Sequence, residues 1–342
     1  MSRAALPPVR VQAHPAPPER WEALLARCPE PDFTASATFC ELIGHQLEGA
    51  SSLYLVAELE GEQVGYLPVV VRTRRGLTRL ESSADGALAG PQLVGDIGPR
   101  VAAAAYEALA RDLADRVGGR TVVAAMNVGT VAGGPPLPGI EDPRWLCEDY
   151  EAAVVDCRGG IEQVERELWT NNRRNERNRG LKRGCTLEAA RDRETLARWY
   201  PLYLEAAKRF APAAVPLACF EALLALPEQR SVLNVVRLEE DIIAGHFCFR
   251  SRDRLVAWQS AVRLDLQRSH FPTTLAYWLD VSLTCELGLA AIDFGGCAGR
   301  DTLWDFKRRC GGRPEPRRQW SRRSGLGRLA QRAAGLLRGD SR

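Results

Sequence analysis

The sequence predicts tandem α/β (α+β) domains, and three observations carry that expectation. A chain of 342 residues has room for about two cores at roughly 150 residues each. Residues 53–67 (LYLVAELEGEQVGYL) lie over residues 233–247 (LNVVRLEEDIIAGHF) at a constant offset of 180 without a gap. Each copy is a strand, an acidic turn and a strand with Gly65 or Gly245 at its middle, the mark of an internal repeat. Both halves then continue in the same order of strand, loop, long helix and short strand.

The first half opens on a proline-rich stretch, followed by helices over 18–28 and 35–47. Alternating strands over 52–59, 64–73 and 77–81 form a meander, turned at Glu60-Gly61-Glu62 and Arg74-Arg75-Gly76. A glycine-rich loop spans 83–98, and Pro99 opens an alanine-rich helix over 100–117. A strand over 121–126 and a loop over 129–139 follow. In the second half, helices are expected over 193–210 and 216–226, and strands over 231–238, 242–250 and 254–262. Helix 272–286, strand 290–294, a short helix 301–310, strand 314–320 and a terminal helix 325–337 complete the pattern. The expected division is a first domain over 1–150, a connecting basic helical segment over 151–185, a second domain over 186–320 and a basic amphipathic tail over 321–342.

Composition narrows the classes. Hydrophobic residues make up 45% and charged residues 26%, as in an ordinary globular protein. The uncharged stretch 121–140 is long enough to span a bilayer but holds three prolines and four glycines, which rules out a continuous apolar helix. Residues 1–20 have no apolar core of a secretory signal. The ten cysteines include no Cys-x-x-Cys and do not cluster with the four histidines, so neither zinc nor a disulfide framework is expected. Reduced thiols in a cytoplasmic protein are.

The net charge of +3 divides unevenly: −6 over residues 1–150 and +9 over the remainder. An anionic ligand is therefore expected on the second half. Of the 46 basic residues all but Lys182, Lys208 and Lys307 are arginine, which GC-rich coding also produces.

Gly-x-Ser-x-Gly, His-Glu-x-x-His, Gly-x-x-x-x-Gly-Lys and a strand-linked Gly-x-Gly-x-x-Gly are all absent. What remains is a strand–loop–helix junction, Gln267-Arg268-Ser269-His270-Phe271-Pro272-Thr273-Thr274. The unpaired N–H groups at a helix start bind phosphate, with Gln267, Arg268, Ser269, His270, Thr273 and Thr274 as added donors, or the threonines are plain caps. Beyond it come Ile292-Asp293-Phe294-Gly295-Gly296 and a helix containing Phe306-Lys307. Lys307 either meets a phosphate or a developing oxyanion, or is a solvated surface lysine. The stretch from Trp169 to Arg179 has four Asn and four Arg against one acid. Arg173, Arg174 and Arg177 there either grip an acidic or phosphate-bearing acceptor or belong to a solvated face. In the tail, Leu326, Leu329, Ala330, Ala333, Leu336 and Leu337 form one apolar stripe. It either docks on its own domain or lies on anionic lipid at the inner face of a membrane.

The repeated hairpin, the Asn/Arg segment 168–184, the DFGG strand end and LWDFKRRCGG together resemble the double-domain branch of the GNAT N-acyltransferases. That branch holds Fem-type peptidyltransferases and acetyltransferases of exopolysaccharide and cellulose gene clusters. The resemblance covers most of residues 35–315. It implies tandem GNAT-like domains, each a mixed, mostly antiparallel sheet flanked by helices, the second splayed between its fourth and fifth strands to seat a donor. It also implies acyl-CoA, most simply acetyl-CoA, as co-substrate without a metal, its pyrophosphate on 267–274. The amine acceptor would be a small molecule or glycan-linked. Phe306-Lys307 matches a Phe-Lys pair that the Fem branch uses near the donor ester. The chain lacks both the long helical arm of some Fem members and the glycine-rich phosphate loop of simple GNAT enzymes. Aminoacyl-tRNA as donor and a non-catalytic scaffold therefore stay open.

For direct transfer the amine must lose a proton as it attacks. His246 is either the base or a histidine bonded within the sheet. Asp293 either orients or accepts a proton, or shapes a turn. Trp258 and Ser260, two apart on one strand, are expected on one face as acceptor lining, with core packing the other reading of Trp258. The acidic first half, without a phosphate loop, is expected to shape the acceptor side.

Overall fold

The structure is a computed structural model. It describes residues 7–28, 32–82, 87–129, 139–210, 214–227, 230–297 and 299–339, the side chains of 210 and 333–339 excepted. The first six residues, most of the 129–139 loop, the start of the 83–98 loop, and the side chains of Ala333, Leu336 and Leu337 fall outside this set. The chain forms two compact units, residues 1–150 with 317–342, and 151–316.

The first unit begins with β1 (Arg10–His14), α1 (Trp21–Ala26) and α2 (Ala37–Gln46). The Ser36 side chain accepts from the Phe39 N–H at 3.1 Å and starts α2. The meander is β2 (Ala50–Leu59), β3 (Glu62–Arg74) and β4 (Leu77–Glu81). Its first turn has positive φ at both Glu60 and Gly61, the geometry that matches strand twist in a two-residue hairpin. β5 (Gln92–Leu93), α3 (Pro99–Asp115) and β6 (Thr121–Gly129) follow.

β4 and β6 are parallel through Glu81↔Ala125. Past that point the chain's own residues take up the pairing: Ala89 N–H donates to the Asn127 carbonyl, and β5 pairs with β3. The core packs α3 through Leu109 and Leu113 onto Leu55, Leu67 and Val69 of the sheet.

β7 (Leu146–Asp156) leads into the second unit. There follow the single turn α4 (Gly160–Gln163), the helix α5 (Asn171–Lys182), β8 (Cys185–Ala190), α6 (Arg193–Phe210) and α7 (Leu217–Leu224). The second meander is β9 (Ser231–Leu238), β10 (Asp241–Ser251) and β11 (Arg254–Val262). α8 (Pro272–Glu286), β12 (Ala291–Gly296) and α9 (Asp301–Arg309) come next. β13 (Arg313–Arg323) and α10 (Gly325–Gly339) close the chain, with residues 317–323 antiparallel to β6.

Hydrogen-bonded neighbours in the second unit run β8-β9-β10-β11-β12-β7, antiparallel except for the parallel pair β11–β12. The first unit repeats this order as β1-β2-β3-β4-β6-β13, with β4–β6 as its parallel pair. Each unit is thus a mixed, mostly antiparallel sheet with helices against it. Strands β1, β5, β7 and β8 lie where the sequence showed none. β7 begins before and ends inside the segment read as a basic helical connector, and only α5 of that segment is helical for long.

On one face of the second sheet, α8 buries Leu275, Tyr277 and Val281 against Val232, Val236, Leu255 and Ile292. On the other, Trp199 and Tyr203 of α6 pack on Phe220 of α7, which meets Phe247 and Trp258. Gly245 is where this layer comes closest, since a Cβ there would lie 2.7 Å from Trp199 Nε1.

Candidate functional site

In the second unit the sheet opens between β11 and β12. β11 and β12 pair only through Arg254↔Ala291, Leu255↔Ile292 and Val256↔Asp293. Beyond Val256 the pairing with β12 ends, while the ladder with β10 continues through Ala257 and Gln259 to Val262.

A register shift on β11 sits beside this opening. Phe247 pairs with Gln259 and Cys248 with Ala257, which leaves Trp258 as an extra residue. The bulge overturns the expected shared face. Trp258 packs among Phe220, Phe247 and Phe249 on the α6–α7 side, while Ser260 is exposed opposite His246.

Asn234, His246 and Ser260 form a row across β9, β10 and β11. His246 is 6% exposed and Asp280, inside α8, is fully buried. The His246 Nδ1 lies 2.5 Å from Asp280 Oδ2, and Asn234 Nδ2 donates to Asp280 Oδ1 at 2.7 Å. Burial, reinforced by the charge of Asp280, pushes the Cys248 thiol well above its ordinary range. The thiol is therefore protonated and directed at the same Oδ1 at 3.6 Å. The Tyr277 ring stands edge-on to His246 at 5.2 Å, and its hydroxyl is held protonated by burial. Sequence reasoning missed Asn234 and Asp280. Each is a lone polar residue in an apolar stretch, LNVV and YWLDV, which was the available signal.

Lys307 is buried on α9. It donates to the carbonyls of Phe294, Gly295 and Gly296 at 2.6, 3.1 and 2.9 Å, so it is not a solvated lysine. Asp293 is buried as well, and its Oδ1 accepts from the Gly295 N–H at 2.7 Å, the turn-shaping arrangement. With φ of +67° at Gly295, these contacts hold a bend in β12 just past Asp293, its last residue paired with β11.

At the α8 start, Gln267 Nε2 donates to Thr273 Oγ1 at 2.6 Å. The Ser269 hydroxyl donates to the Leu266 carbonyl and lies 2.9 Å from His270 Nδ1. The buried Thr274 hydroxyl donates to Glu176 at 2.7 Å. Arg268 is exposed. Most polar groups of the predicted phosphate loop are thus engaged locally, and Arg268 is its exposed cation. On α5, Arg173 pairs with Glu176 and stacks on Phe306 at 4.3 Å. Arg177 pairs with Glu165 at 2.5 Å and stacks on Trp278 at 4.1 Å. These two arginines fasten α5 to α8 and α9. Arg174 bonds Asn171 and is partly exposed.

Among the described residues no helix is long and apolar enough to cross a membrane.

Residues 170–308 match the family model described as an acetyltransferase (GNAT) domain. No curated protein matches the chain. The fold is similar to that of FemX, at 13% identity and a TM-score of 0.61 over 90% of this chain and 96% of that one. It is also similar to the C-terminal domain of a putative lysylphosphatidylglycerol synthetase from Agrobacterium fabrum, at 13% identity, a TM-score of 0.56 and coverage of 93% and 96%. A tandem GNAT protein from the clavulanic acid biosynthesis pathway matches at 11% identity, a TM-score of 0.52 and coverage of 92% and 99%. The chain therefore has a double-domain GNAT fold of mixed α/β type, and the stretch that matches the acetyltransferase (GNAT) domain model lies in its second unit.

Proposed function

We propose that the second unit is an N-acyltransferase that moves an acyl group from acyl-CoA to an amino group of a polar or sugar-linked acceptor, in polysaccharide or cell-envelope synthesis. The observation that carries this reading is the opening between β11 and β12, with His246 and Ser260 beside it. The edge of β11 past Val256 supplies backbone N–H groups to polarise a thioester carbonyl. The acceptor nitrogen attacks that carbonyl carbon and gives its proton to His246, the C–N bond forms, and the C–S bond breaks, the leaving CoA thiolate taking that proton from His246 to depart as the thiol. Ser260 lines the acceptor side, and Arg268 is the cation of the loop toward the donor phosphates. Lys307 and Asp293 act through the bend of β12 rather than by touching substrate. The first unit, whose parallel pair is continued by its own chain, is read as a degenerate GNAT-like domain. The working compartment is the cytoplasm, where Leu326 and Leu329, exposed on the basic α10, support peripheral contact with an anionic membrane.

The test is incubation of the purified protein with acetyl-CoA and a panel of amines and amino sugars, following release of CoA thiol. His246→Gln abolishes an acceptor-dependent release. No release with any short-chain acyl-CoA overturns the donor. The similarity to FemX favours aminoacyl-tRNA as the second donor reading. Copurifying RNA with steep salt dependence marks that case, and ligand binding without turnover marks a scaffold.

A further inference from the structure

We infer that Asp280 is the positioning residue of this site: it fixes the tautomer of His246 so that Nε2, the nitrogen not bonded to Asp280, accepts the proton. The inference rests on the acyl-transfer reading above and deepens it.

Three donors converge on one carboxylate. Asn234 Nδ2 and the Cys248 thiol occupy Oδ1 at 2.7 and 3.6 Å, and His246 Nδ1 lies 2.5 Å from Oδ2. A carboxyl that accepts at both oxygens leaves Nδ1 as the donor, so the ring proton sits on Nδ1 and the lone pair on Nε2. The same logic governs ligating and catalytic histidines, whose free nitrogen is set by what the other one bonds. Asn234 in turn fixes the rotation of Asp280. Its own backbone is packed tightly, because its carbonyl oxygen would lie 2.9 Å from a Cβ at Gly245. The glycine at the centre of the repeated hairpin thereby belongs to the support of this network.

A purely structural histidine has no need of this arrangement at the mouth of the sheet. The charged or titratable groups facing His246 are Asp280 and Tyr277 from α8 and Cys248 from its own strand. β9 contributes the neutral Asn234 and β11 the neutral Ser260. The fully buried carboxylate thus holds the ring through Nδ1.

The experiment is nitrogen-15 histidine NMR of the full-length protein, above the range in which imidazoles titrate. His246 is assigned among the four histidines by its loss in His246→Gln. The parent shows a protonated Nδ1 and a bare Nε2, and Asp280→Asn converts the ring to a mixture with protonated Nε2. In acyl-transfer assays the same variant lowers kcat by on the order of 10²-fold with the KM for donor unchanged. Asn234→Ala keeps the tautomer and gives a smaller loss. A parent His246 protonated on Nε2, or an Asp280→Asn variant with unaltered tautomer and kcat, overturns the inference. The parent spectrum decides it even where Asp280→Asn does not fold. Failure of the parent to transfer any acyl group overturns the reaction assigned above, a separate result from the tautomer.

Discussion

The ammonium nitrogen of Lys307 lies 2.6 Å from the carbonyl oxygen of Phe294, and the next two carbonyls complete its cage. A compact ammonium with three rotatable donors fits three consecutive carbonyls, which a planar guanidinium does not. This explains a lysine in a chain where nearly every other cation is arginine. The bend it holds begins just past Asp293, the last β12 residue paired with β11.

Lys307→Met strands three carbonyls at a buried position. Hydrogen bonds to charged groups contribute up to about 3 kcal/mol each, partly offset by the cost of burying the charge. The expected net loss of stability is roughly 3 kcal/mol, read by urea denaturation. Lys307→Arg does not restore it. An unchanged midpoint in Lys307→Met contradicts the cage.

Gly245→Ala places a methyl group 2.7 Å from Trp199 Nε1 and 2.9 Å from a backbone oxygen. The ring can yield only by disturbing Tyr203 and Phe220, against which it packs. Overpacking of this kind costs about 2 kcal/mol. Thermal unfolding of the variant measures it, and a melting point equal to that of the parent contradicts the tight contact.

Trp258 and Ser260 respond differently because the bulge puts them on opposite faces. Trp258→Ala destabilises the protein by about 3 kcal/mol through loss of aromatic packing. Ser260→Ala stays within about 0.5 kcal/mol of the parent and raises the KM of the acceptor amine. Equal stability effects at both positions contradict the assignment of faces.

Much of this architecture was legible in the sequence. The repeated hairpin predicted two equivalent sheets, and β2–β3 and β9–β10 are those hairpins. The helix start at Pro99 follows from proline chemistry and the alanine-rich run after it. The less legible features share a cause, which is that they depend on partners distant in the chain. β7 and β8 are short on local pattern and are defined by pairing with β12 and β9. The Trp258 bulge is a mismatch between two strands, invisible along either one. Asp280 acquires its role only where α8 crosses β9 and β10. His246 and Ser260 are candidates from residue type and strand position, whereas the engagement of Arg173 and Arg177 with rings on α8 and α9 was hidden by their exposed-looking, polar helix.

Cys147 is the one exposed thiol, Cys285 is partly exposed, and the other eight cysteines are buried. Partial burial, then the nearby Asp149, raises the Cys147 thiol above its ordinary range. At mildly alkaline pH it therefore carries less thiolate than free cysteine, and its labelling rate keeps climbing as pH rises. Ellman's reagent on native protein should find one fast equivalent, lost in Cys147→Ser. Several equally fast thiols contradict the burial pattern.

The central claim is that the edge of β11 past Val256 receives the donor. Amide hydrogen exchange with and without acetyl-CoA tests it most directly. The account predicts protection concentrated in residues 257–262, with a smaller effect over 267–274. Acyl transfer accompanied by no protection of 257–262 contradicts it.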